Sequence, residues 1–172
     1  MKRILLASFA AILGLAGCAK VSTDATQVET FALRATVTPD NHCTVDALGK
    51  TYTSIGQVRG ALLPTFSGTL DNGGYHSIGC WVGNPDGTDG DLVVTFSGNS
   101  YQQPFPTGTF RPTFEPAYGS SDKIAAVSFR ASSYGPTALR TIEKSTGAVN
   151  VESSPTGART ITVDVSAMMN QF

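Results

Sequence analysis

The chain reads as all-β: an antiparallel β-sandwich of about seven to nine strands, with a β-barrel as the alternative and at most one or two short helices. Three observations predict this. From Phe31 onward, apolar and polar residues alternate with a period of two in runs rich in β-branched residues. Glycine, proline, asparagine and aspartate cluster between those runs, as turns require. Charged residues make up only 15% of the chain, while glycine contributes 18 and proline 9 of its 172 residues, which suits strands and turns better than solvated helices.

In chain order, "FALRATV" sets Phe31, Leu33, Ala35 and Val37 against Ala32, Arg34 and Thr36, giving one apolar and one wet face. "TSIGQVRGALLP" has Ser54 as a cap, Ile55, Val58 and Leu62 at helical spacing and Pro64 as a stop, and predicts a short helix. "TFSGTL", "YHSIGCWVG", "DLVVTFSG" and "KIAAVSFRAS" continue the strands. "NPDG" (Asn84 to Gly87) places Pro85 and Gly87 as a type I turn with a glycine bulge prefers, and "SPTG" at 154–157 is a connection of the same kind. "GPTALRTIEKSTG" is read as a strand in preference to a helix. "GAVNVES" and "ARTITVDVSAM" follow, the latter pointing Ile161, Val163, Val165 and Ala167 one way and Thr160, Thr162, Asp164 and Ser166 the other. The last third is thus expected to be a meander of three or four strands.

The first residues follow a different logic. "MKRILLASFAAILGLAG" has basic Lys2 and Arg3, an apolar stretch of about twelve residues from Ile4 to Leu15, and then small residues, the layout of an export signal. A membrane span needs about 20 apolar residues, so this stretch is a processing signal. It runs straight into cysteine as Leu15-Ala16-Gly17-Cys18, which closely resembles the lipobox of bacterial lipoproteins. The resemblance covers the first 18 residues. It implies cleavage of residues 1–17, acylation of Cys18 and a lipid-anchored tether over 18–30, ahead of a single β domain at 31–172. Two or more acyl chains anchor stably where one holds marginally. In that class an aspartate after the cysteine favours inner-membrane retention; the residue here is Ala19, which points to the outer membrane of a Gram-negative cell. The closing "TGAVNVESSPTGARTITVDVSAM" also looks like the small all-β modules of such lipoproteins, a likeness of fold that carries over no functional residue.

Without Lys2 and Arg3, basic residues fall from 12 to 10 against 13 acidic ones, a net charge of −3. Mild acidity argues against nucleic acid and against a polybasic membrane patch. Lipidation of Cys18 leaves Cys43 and Cys80 of the three cysteines, an even pair in a compartment that permits disulfides, and a Cys43–Cys80 bridge is expected. His42 and His76 lie close to those cysteines, but zinc spacing is lacking.

Catalytic signatures fail on spacing. "GYHSIG" has Tyr75 where a nucleophile elbow needs glycine, and adjacent His76 and Ser77 on a strand point to opposite faces. "SSDK" (Ser120 to Lys123) matches S-x-x-K but introduces a strand instead of a helix. No catalytic residue is assigned and the chain is not read as an enzyme, a small envelope hydrolase being the least favoured class. Two other constellations could bind. Asp86, Asp89 and Asp91 in "GNPDGTDGDL" are a weak calcium candidate, with no lysine or arginine between Arg59 and Arg111 to neutralise them, although their spacing departs from the EF-hand loop. The stretch from 96 to 118 sets Tyr101, Phe105, Phe110, Arg111, Phe114 and Tyr118 among prolines and glutamines, a composition that suits stacking and hydrogen bonding to a glycan or peptide. The sequence therefore leads to a lipid-anchored cell-envelope protein with a non-enzymatic binding, assembly or structural role. Its partners are the membrane and an envelope protein or glycan. The alternative is a carbohydrate- or peptide-binding module using the 96–118 stretch, with calcium as the one cofactor considered.

Overall fold

The structure is a computed structural model and describes residues 29–56, 76–97, 105–115, 121–132 and 137–171. They form ten strands: β1 (Thr30–Val37), β2 (Cys43–Ala47), β3 (Lys50–Ser54), β4 (His76–Gly83), β5 (Asp89–Phe96), β6 (Gly108–Thr113), β7 (Ile124–Ala131), β8 (Thr137–Arg140), β9 (Gly147–Ser153) and β10 (Arg159–Gln171). The all-β reading holds, with ten strands among the described residues, one more than the upper expectation of nine. All ten belong to one sheet, ordered β1-β2-β3-β4-β5-β7-β6-β9-β10-β8, and the further pairings β1–β10 and β7–β8 close the ladders into a ring.

Pairing around that ring is uneven. β4 and β5 match from His76↔Phe96 to Gly83↔Asp89, and β5 and β7 from Gly90↔Ala131 to Phe96↔Ala125. β1 lies against β10 from Thr30↔Met168 to Val37↔Ile161 and against β2 along its second half. By contrast, β3 meets β4 only at Thr53↔Gly83 and Ser54↔Val82. β6 changes partner midway, pairing antiparallel with β9 over 108–110 and parallel with β7 over 111–113. Well-paired stretches joined at thin corners, with a strand that switches partner, are what a sandwich stitched at its corners requires.

Alternation built these strands as expected. Leu33, Ala35 and Val37 of β1 and Ile161, Val163, Val165 and Ala167 of β10 all enter the core, each at 5% exposure or less. Gly87 and Gly157 close their hairpins at φ 85° and 81°, with Gly87 N–H donating to the Asn84 carbonyl and Gly157 N–H to that of Ser154. The expected C-terminal meander is rearranged: β8 pairs with β7 and β10, and β9 with β10 and β6. The cause is the length of β10, whose residues 159–165 hold β9 and 168–171 hold β8 end to end along one edge. Ser54 ends β3 and its hydroxyl accepts from the Cys43 N–H; most of the expected helix, from 57 to 64, and "TFSGTL" lie outside the described residues.

Cys43 of β2 and Cys80 of β4 form a disulfide across Cα atoms 6.5 Å apart, both fully buried. β2 and β4 are not ladder neighbours, so the bridge spans the thinly paired β3–β4 corner.

Candidate functional site

Buried Cys80 fixes which way β4 faces. Ile78, Cys80 and Val82 point into the core, which turns Ser77, Gly79, Trp81 and Gly83 outward. Trp81 has no side chain beside it on its own strand, because Gly79 and Gly83 occupy the two adjoining outward positions. It remains 47% exposed, a large apolar side chain half in water beside the thinly paired β3–β4 corner. Such residues are informative only when they gather with others. Here the register sets Asp91 of β5 opposite Trp81 and Arg130 of β7 opposite Asp91, one row of three across three strands.

A cleft of about 440 Å³ opens over this row, lined by Trp81, Asp89, Gly90, Asp91, Arg130 and Ser132. Ser132 Oγ accepts from the Asp89 N–H at 3.3 Å, joining the end of β7 to the start of β5. At the other end of the face Ser77 Oγ donates to Thr95 Oγ1 at 3.0 Å, and both residues are buried. Ile55, 60% exposed, folds over Gly83; a Cβ on Gly83 would lie 2.8 Å from Ile55 Cγ2. Gly83 therefore clears room for an apolar neighbour at the edge of the indole's face.

The aromatic stretch expected to form a ligand surface is placed differently. Phe105 and Phe110 are core residues, 5% and 1% exposed, and this corrects their assignment to that surface. Phe96 meets Phe105 edge-on at 5.3 Å and Phe110 at 4.9 Å between ring centroids. Burying three rings together outweighs leaving them wet, since each offers on the order of 150–250 Å² of surface. Phe114 is half-buried with the Arg140 guanidinium 4.5 Å from its ring centroid, and Arg111 is exposed. Tyr101 and Tyr118 lie outside the described residues.

The three aspartates are also separated. Asp86 sits in the turn, where Lys50 Nζ donates to its carboxylate at 2.6 Å and the Thr88 N–H at 2.9 Å. The Lys50 bond, then the bonds from Thr88, hold its carboxyl down at about 2. Asp89 and Asp91 lie on β5 along the cleft, and among the described residues no three acidic, histidine or cysteine side chains gather to hold a metal. Lys50 from the β2–β3 hairpin thus supplies Asp86 with the countercharge that its neighbours in sequence lack.

His76 is 4% exposed, packs 5.4 Å from Phe105, and neither ring nitrogen has a hydrogen-bond partner. Ser77 faces away and bonds Thr95, so the two form no dyad. Lys123 of the S-x-x-K match donates to the Thr107 carbonyl at 3.0 Å. Burial, and after it the positive charge of Arg159, pushes the His76 pKa below its ordinary 6.5. The unfolded chain then takes up a proton that the folded chain resists, so stability is full above about pH 6.5 and falls as pH drops below it. His76→Leu is expected to flatten this part of the stability profile, measured by urea unfolding between about pH 7.5 and about pH 5.5. Identical slopes in the two proteins would contradict the assignment.

No family model matches the chain, and neither the curated proteins nor the solved structures give a match.

Proposed function

We propose that this chain is a lipid-anchored protein of the cell envelope with a non-enzymatic binding role. Cys18 holds it at the outer membrane, and the outer face of β4, β5 and β7 meets its ligand. The observation that carries the binding role is the half-exposed Trp81, set between glycines with Asp91 and Arg130 in register beside it. An indole kept wet costs stability that burial would have gained, on the order of 2–3 kcal/mol. A role in contact with something outside the fold explains its position. The anchoring part rests on Leu15-Ala16-Gly17-Cys18 and the signal layout before it. Phe105 and Phe110 of the 96–118 stretch do not support the binding role, since both lie in the core.

The anchor is tested by labelling cells with palmitate. The wild-type chain is expected to take up label and fractionate with membranes, whereas Cys18→Ser takes up none and is processed at a different size. Equal labelling of both proteins would overturn the anchor. The binding role is tested by capture of envelope glycans and proteins on wild-type and Trp81→Ala chains, with retention expected on the wild type only.

A further inference from the structure

We propose that the cleft over Trp81, Asp91 and Arg130 is a saccharide site that stacks one pyranose ring of a neutral glycan on the indole; this rests on the binding role above and names its ligand class. The row combines three complementary features. Trp81 offers an apolar plate, half exposed. Asp91 offers carboxylate oxygens that only accept hydrogen bonds, and Arg130 a planar fork that only donates them. A sugar hydroxyl both donates and accepts, so vicinal hydroxyls bond a carboxylate and a guanidinium on one side while the ring's C–H face lies on the indole. Strands lie about 4.8 Å apart, so the three side chains span two such steps, the reach of one ring and its equatorial hydroxyls. Asp89 and Ser132 extend the polar lining along the same cleft.

Other ligand classes fit less well. Among the described residues the cleft carries two carboxylates and one guanidinium, a lining that disfavours nucleic acid and anionic polymers. Arg130, in the same row as the indole, opposes a cationic side chain. An extended peptide binds most readily by adding a strand to a free edge, but β5 is paired on both sides, with β4 and with β7. A neutral, hydroxyl-rich ring is the ligand that meets plate, acceptor and donor together.

Trp81 is the chain's only tryptophan, so its emission reports on this cleft alone. The test is a titration of the full-length chain, held in a sugar-free detergent, with chitohexaose, maltohexaose, xylohexaose and dextran sulfate. A saturable blue shift or quench is expected with at least one neutral oligosaccharide. Asp91→Asn and Arg130→Gln are each expected to weaken it about tenfold or more, because each removes charge-assisted bonds. Thermal unfolding of the two variants, expected to match the wild type, separates lost contacts from lost folding. No response to any neutral oligosaccharide, a response to dextran sulfate alone, or a response untouched by both substitutions would overturn the proposal. Capture of an envelope protein through Trp81 with no oligosaccharide response would leave the binding face standing and remove the saccharide.

Discussion

Replacing Cys43 and Cys80 together with serine is expected to lower the unfolding free energy by about 4 kcal/mol. The bridge closes a loop with a sequence separation of 37, and confining a loop of that length in the unfolded chain is worth that amount. Small domains are stable by only about 5–15 kcal/mol, so the loss is a large fraction of the total. Its structural focus is the β3–β4 corner, where two residue pairs carry the ladder and the bridge ties β2 directly to β4. Urea unfolding of the wild type and the double variant measures the difference, and reductant should bring the wild type to the variant's midpoint. Equal stability with and without reductant would show that the bridge does not hold the fold.

Phe110→Ala is expected to cost about 3–5 kcal/mol, the range for removing a buried aromatic ring and leaving a cavity. Phe110 is 1% exposed, lies edge-on to Phe96, and sits on the three residues of β6 that pair with β9. The void would open where β6 is about to transfer its pairing to β7, so neither neighbour can close in without breaking register. Phe110→Leu fills most of that space, and its cost is expected near 1.5 kcal/mol, leaving a folded protein for comparison. Ligand capture per folded molecule should be unchanged in Phe110→Leu. Lost capture with intact folding would return the 96–118 stretch to the ligand surface.

Legibility in the sequence followed how local each signal was. β1 and β10 are readable because the apolar alternation over 33–37 and 161–167 is core on one face, and "NPDG" and "SPTG" because four residues suffice to specify their turns. The β2–β3 hairpin is not legible in the sequence because its two-residue turn uses Leu48 and Gly49, both at positive φ (55° and 73°), where asparagine and glycine are the usual pair. Phe105 and Phe110 looked like surface residues because proline and glutamine surround them. The burial of Phe110 goes with β6 pairing to β9, and that of Phe105 with packing on His76 and Phe96, contacts that no neighbouring residue announces. Lys50 and Asp86 stand 36 residues apart in sequence, so the aspartates looked unneutralised. Trp81 left one readable signal: it follows Cys80 on a strand, and a cysteine turned inward to a disulfide turns its neighbour outward.

The most direct measurement of the central claim, that the Trp81 face is where this protein meets its ligand, is calorimetric affinity for the responding oligosaccharide in wild-type and Trp81→Ala chains. About half of the indole is buried, so its loss costs some stability, and affinity is compared per folded molecule, where it should fall at least about tenfold. Equal affinity per folded molecule in the two proteins would contradict the claim.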